Sequence, residues 1–183
     1  MSVIAVKKYS DKIVIGADSI QVRGRSKKEE IKLFCDEEKH IAWGASGDCG
    51  ESTLFDIFLK THNPAGNTKK EIYEFFLEFM KYKKEFNNDK IALENNYLFI
   101  FETSAYCIFS SGHIEEIKEN EYEAIGAGFQ EAKTALYLGH TIEEALKATC
   151  ANNTVCMEPI TIYKISNNGI KLYEGEKVIK GGK

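Results

Sequence analysis

The sequence predicts an α+β protein in which two antiparallel sheets lie between pairs of helices, an αββα four-layer sandwich. Three observations predict it. The patterned runs follow the order strands, two helices, strands, two helices, strands, which does not alternate as βαβ units do. Strand runs at 97–101 and 105–109, and again at 160–165 and 170–173, are joined by short turn sequences, as antiparallel hairpins are. The longest helical run carries Ile72, Phe75, Phe76, Phe79 and Met80 on one face, a stripe that reads as core rather than as a cofactor site.

Each element has its own local signal. Val3–Val6 and Ile13–Ile15 are apolar runs flanking Tyr9-Ser10-Asp11-Lys12, a length suited to a hairpin connection. Residues 21–30, with Arg23, Arg25, Lys27 and Lys28, read as a solvated basic loop. Ile31-Lys32-Leu33-Phe34 alternates as a strand does, and Lys39–Ala45 reads as a strand running into the small-residue turn Ser46-Gly47-Asp48-Cys49-Gly50. A helix follows over 52–60, with Leu54, Phe55, Phe58 and Leu59 at helical spacing, and Pro64-Ala65-Gly66 breaks the chain. Thr68 and Glu71 form a capping box that opens the long amphipathic helix, which ends near Asn87-Asn88.

Beyond the hairpin at 97–109, Ile114–Ile117 and Tyr122–Ile125 are short strands. Gly126-Ala127-Gly128 leads into a helix over 130–138, capped by Gly139. Thr141 and Glu144 form a second capping box, for a helix running to about Ala151. Asn167-Asn168-Gly169 reads as the turn of the last hairpin, its Asn-Gly step being the signal.

With 183 residues, 43% hydrophobic and 28% charged, the chain is expected to form a single domain over 1–183 with a proper core. A net charge of -4 gives no global reason to expect a nucleic-acid or anionic-membrane partner. Five cysteines without a Cys-x-x-Cys pair indicate neither a disulfide framework nor a zinc site. His40, His62, His113 and His140 lack ligand spacing and read as surface or loop residues, so no metal and no cofactor is expected. Lys7 and Lys8 interrupt the first apolar run, and no run approaches the ~20 residues of a membrane helix, so the expected location is cytoplasmic.

Ser2 is the residue with the most chemistry. Removal of Met1 would leave a hydroxyl and a free α-amine on Ser2. Such an amine titrates near pH ~7.7–8, so much of it is neutral at physiological pH and can take the hydroxyl proton. Nucleophile and base then belong to one residue.

Nearly the whole chain resembles the proteasome family of N-terminal nucleophile (Ntn) hydrolases, in particular proteasome β subunits and the bacterial protease HslV. The resemblance rests on Gly16-Ala17-Asp18 at the end of the second strand, at the family's interval from the nucleophile, and on Lys32 ahead of Ile41-Ala42-Trp43-Gly44-Ala45-Ser46-Gly47. Gly126-Ala127-Gly128, with Ala132 and Ala135-Leu136, is similar to the family's Gly-Ser-Gly segment and its helix, and Ile162-Tyr163 to its penultimate strand.

The resemblance implies the Ntn-hydrolase form of the sandwich and a threonine/serine-type N-terminal nucleophile peptidase. Ser2 would attack the scissile carbonyl, Lys32 would favour the neutral amine through its charge, Asp18 would hold Lys32, and backbone N–H groups of the Ser46-Gly47 turn would take the oxyanion. It implies a peptide or unfolded-protein substrate, a self-compartmentalised homo-oligomeric ring and an ATPase unfoldase partner. The sequence departs from the family at Ala127, where the family has serine, and at about Asn153 and Cys156, where it has an auxiliary Asp and Ser. The departures, with any retained Met1, favour a catalytically inactive ring or scaffold subunit as one alternative; a small-amide Ntn hydrolase on the same fold is another.

Overall fold

The computed structural model describes residues 2–23, 26–87 and 91–172. The elements are β1 (Val3–Lys8), β2 (Ile13–Ala17), β3 (Ile20–Arg23), β4 (Ser26–Glu29), β5 (Leu33–Asp36), β6 (Ile41–Ser46), α1 (Cys49–Thr61), α2 (Lys69–Asn87), β7 (Asn96–Phe101), β8 (Ser104–Ile108), β9 (Ile114–Ile117), β10 (Tyr122–Gly126), α3 (Phe129–Tyr137), α4 (Ile142–Asn152), β11 (Thr161–Ser166) and β12 (Gly169–Leu172). Two five-stranded antiparallel sheets result, ordered β10-β1-β2-β11-β12 and β5-β6-β7-β8-β9.

Strand alternation sorts the apolar side chains into three clusters. In β1, Ile4 and Val6 turn toward the second sheet, where they share a cluster with Ala42, Leu98, Ile100 and Cys107. Val3 and Ala5, on the other face of the same strand, pack with Ala132, Leu136, Ala145 and Leu146 of α3 and α4. In β7 the same rule sends Tyr97, Phe99 and Phe101 toward α1 and α2, where Phe55, Phe58, Phe75, Phe76 and Phe79 complete the largest cluster. The Phe55 and Phe79 rings meet edge to face at 4.8 Å, and Phe34 stacks on Trp43 at 4.5 Å. Full burial of each such ring contributes about 1.5–3 kcal/mol, so this aromatic stripe is structural, as its spacing predicts.

Both capping boxes form. Glu71 Oε2 accepts from the Thr68 N–H at 3.0 Å, and Glu144 Oε2 from the Thr141 N–H at 2.8 Å. Gly139, with φ +95°, follows α3 and donates its N–H to Leu136 O at 3.1 Å. His40, His113 and His140 are exposed, and His62 is half-buried on the Phe58 ring.

Four local expectations need correction. The basic loop over 21–30 is a hairpin, β3 with β4, paired from Ile20↔Glu29 to Arg23↔Ser26. The four cations obscured the period of two in Ile20-Gln21-Val22-Arg23. Lys32 precedes β5 rather than lying within it, and α1 begins at Cys49 rather than Ser52, because Asp48 Oδ1 caps it by accepting the Glu51 N–H at 2.8 Å. The last turn is Asn167-Asn168, with Gly169 already pairing to Ser166; Tyr173 lies outside the described residues. Among the described residues no helix is long and apolar enough to cross a membrane.

Candidate active site

Ser2 sits at the head of β1, buried at the seam of three strands. Its backbone is boxed in. Ser2 O accepts the Gly128 N–H at 3.3 Å, and a Cβ at Gly126, where φ is +95°, would collide with that same oxygen. Glycine at 126 is therefore what lets β10 run this close to Ser2. The Ser2 hydroxyl donates to Ser46 Oγ at 3.3 Å.

Asp18 follows β2 directly and is 2% exposed. Its carboxylate gathers four donors. Oδ1 accepts from Lys32 Nζ at 2.6 Å and from the Val3 N–H at 2.9 Å. Oδ2 accepts from the N–H groups of Ile20 and Met157, each at 3.3 Å. Asp18 thus ties the peptide after Ser2, the start of β3, the segment after α4 and the Lys32 ammonium to one point. Burial pulls the Lys32 pKa below its ordinary value, and the charge and hydrogen bond of Asp18 oppose that shift without cancelling it.

Ser2, Lys32, Ser46 and Gly47 all line one cleft of about 390 Å³. The rest of its lining is Ile20, Glu30, Ile31, Phe34 and Ala45, with Cys49, Ser52, Thr53, Asp56 and Ile57 of α1. Pockets of roughly 300–1,000 Å³ suit small-molecule or side-chain ligands. The five residues singled out in the sequence therefore converge: four line the cleft and Asp18 lies behind it, bonded to Lys32.

The departure positions Asn153 and Cys156 lie at and just beyond the end of α4. Asn153 caps α4, donating from Nδ2 to Glu131 Oε1 at 3.0 Å and accepting the Val155 N–H on Oδ1 at 3.0 Å. Cys156 is buried, and burial, with the Asp18 charge, pushes its thiol up to about 12; Cys150 is likewise raised, to about 11. Neither thiol supplies thiolate at neutral pH.

The sequence reading missed a second polar cluster, Glu51, Lys83, Asn95 and Tyr97, packed behind the Gly47 turn. A partial signal was present, since Asp48 and Glu51 have N-cap spacing; nothing marks Asn95 or Lys83 as special.

No protein-family model and no curated relative matches the sequence. Solved structures do. BPH from Thiobacillus denitrificans aligns at a TM-score of 0.78 over 90% of this chain and 97% of its own, with 12% identity. The same protein in complex with epoxomicin aligns at 0.79. Anbu from Yersinia bercovieri, described as an ancestral beta-subunit, aligns at 0.73 over 93% of this chain and 86% of its own, with 11% identity. The fold is proteasome-like. A Gly-1 mutant of Anbu from Hyphomicrobium sp. strain MC1 matches equally well, at 0.76 over 94% of this chain and 85% of its own. At 11–12% identity the likeness speaks for the fold, and the chemistry has to be argued from the cleft itself.

Proposed function

We propose that this chain is a peptidase that uses Ser2, freed by removal of Met1, as an N-terminal nucleophile. The observation that carries the reading is the joint placement of Ser2 and Lys32 on one cleft, with Lys32 held by buried Asp18. Ser2 Oγ attacks the substrate carbonyl carbon while the Ser2 α-amine takes the hydroxyl proton. The Lys32 charge favours the neutral amine. Negative charge then develops on the carbonyl oxygen beside the Ser46-Gly47 turn, where a backbone N–H donor is typically worth ~3–4 kcal/mol. The C–N bond breaks as the amine returns its proton to the leaving nitrogen. Water, activated by the same amine, hydrolyses the remaining ester and regenerates Ser2.

In this reading the two sheets and their helix pairs form the four-layer sandwich of an Ntn hydrolase as one domain. Identical copies assemble into a ring, peptides or unfolded chains are the substrates, and an ATPase unfoldase feeds it. The likeness to a protein described as a beta-subunit supports the ring. A silent scaffold subunit is the second reading, favoured by Asn153, whose amide is spent on Glu131 and Val155.

One experiment separates the two. The purified, untagged protein is weighed intact before and after incubation with epoxomicin, the compound bound by the Thiobacillus denitrificans protein. Loss of Met1, together with a one-to-one epoxomicin adduct and peptide hydrolysis that both depend on Ser2, supports the peptidase. Ser2→Ala should abolish adduct and hydrolysis while leaving the oligomeric state unchanged. Retained Met1 with no adduct makes the chain a scaffold.

A further inference from the structure

The turn that carries Ser46 and Gly47 is held from behind by one buried amide. Asn95 is 0% exposed, one residue before β7. Its Oδ1 accepts the Asp48 N–H, while its Nδ2 donates to the Asp48 carbonyl at 2.9 Å and to Ser52 Oγ at 3.0 Å. Asp48 is thus gripped at both of its backbone groups by a buried side chain, and the peptide leaving Gly47 cannot rotate without breaking its hydrogen bond to Asn95. The fit is close enough that a Cβ at Gly47, where φ is +150°, would collide with Asn95 Oδ1.

Asn95 is itself anchored. Glu51 Oε1 accepts the Asn95 N–H at 3.0 Å and the Tyr97 hydroxyl at 2.7 Å, and Glu51 Oε2 accepts the Glu94 N–H at 2.8 Å. Lys83 Nζ lies 2.5 Å from Glu51 Oε2 and also donates to Ala92 O at 3.2 Å. Glu51 and Lys83 are each 3% exposed. Apolar residues of the same volume would often fill such a space with equal or greater stability. What an ion pair supplies here is direction: two fixed carboxylate oxygens that set the backbone of residues 94 and 95.

We propose that Asn95, seated on the buried Glu51–Lys83 pair, is a positioning residue that fixes the Gly47 turn for oxyanion binding. The role rests on the peptidase reading given above. Asn95 touches no reacting atom; it acts by holding the N–H donors of the turn where charge develops.

The test uses the full chain, with rates expressed per site labelled by epoxomicin, so that misfolded protein drops out of the comparison. In Asn95→Asp and Asn95→Ala, kcat per labelled site falls roughly 10–100-fold while KM stays within about 3-fold of wild type. The inhibition constant of a peptide aldehyde, which mimics the tetrahedral state, rises in parallel with the loss of kcat. Wild-type hydrogen exchange gives a readout that needs no variant: the Asp48 amide exchanges as slowly as the amides of β6 and β7. Variants that keep wild-type kcat, or an Asp48 amide that exchanges at the rate of an open loop, overturn this role alone. A wild type that neither hydrolyses peptides nor takes the label overturns the peptidase reading, and this role with it.

Discussion

Asp18 Oδ1 holds Lys32 Nζ at 2.6 Å and, with the same oxygen, the N–H of Val3 at 2.9 Å. One atom therefore sets both the position of the cation and the backbone direction of the residue that follows Ser2. The Asp18 side chain is 0% exposed and that of Lys32 11%, so the carboxylate is shut off from water while the ammonium reaches the cleft.

Asp18→Asn tests this coupling. An amide cannot balance the Lys32 charge, and its NH2 group replaces an acceptor used by Lys32 and Val3 or by Ile20 and Met157. Removing one partner of a buried pair costs about 3–5 kcal/mol, and we expect a loss of that order in urea unfolding. Hydrolysis of a fluorogenic peptide should fall at least ~100-fold, since the loss of geometry and of charge act together. Wild-type activity in a folded Asp18→Asn protein would exclude Asp18 from the site.

The pH profile follows from Lys32. Activity should rise as the Ser2 α-amine loses its proton, below its ordinary pH ~7.7–8 because the Lys32 charge favours the neutral form, and fall again as Lys32 loses its own. Burial lowers the Lys32 pKa, so the alkaline limb should lie below the ordinary lysine range. Lys32→Arg keeps its charge throughout, and its residual activity should show no such limb. The linked stability effect has the opposite sign to a salt-bridge gain. Between the lowered folded value and the ordinary one the unfolded chain binds the extra proton, so the fold gains stability as pH rises through that window. An alkaline limb shared by wild type and Lys32→Arg would assign it to another group.

Much of this architecture was legible in the residues. Unbroken apolar runs marked Val3–Val6 and Tyr97–Phe101 as buried strands without telling one face from the other, and both capping boxes marked their helices to within a residue or two. The β3–β4 hairpin was hidden because four cations outweighed a short apolar alternation. Ser2 stood out by its own chemistry at the head of the first apolar run, and Asp18, Lys32 and the Ser46-Gly47 turn through the resemblance to the proteasome family. The Asn95 grip did not, because it joins residues 47 apart in sequence through hydrogen bonds that leave no periodic trace.

Gly126→Ala probes the approach of β10 to Ser2. The new methyl would collide with Ser2 O, and φ of +95° is unfavourable for alanine in any case. Strained backbone of this kind costs of order 1–3 kcal/mol. If β10 moves away to relieve it, the Gly128–Ser2 hydrogen bond at 3.3 Å goes with it, and Ser2 loses its seat. We expect a lower unfolding midpoint together with a lower rate of epoxomicin labelling. Unchanged labelling would show that the Ser2 backbone is held by β2 and Asp18 alone.

Lys83→Met separates stability from direction in the second buried pair. The substitution leaves the Glu51 carboxylate charged at 3% exposure, with its N–H and hydroxyl donors but no cation. The cost should be about 3–5 kcal/mol, or roughly 6–20 °C in melting temperature for a chain of this size. Adding Glu51→Gln to Lys83→Met removes the orphaned charge and should recover part of that loss, a coupling that a double-mutant cycle reads directly. Burial opposes the Lys83 charge, but Glu51, and after it Glu94, outweigh burial and raise the Lys83 pKa. The contribution of Lys83 is therefore fully present below the ordinary lysine value and is lost only as pH climbs through the raised one. The gap between wild type and Lys83→Met should accordingly hold constant through neutral pH and close only in strong alkali. A gap that closes near neutrality would mean that the pair is not the charged anchor described above, and that Asn95 is held by packing.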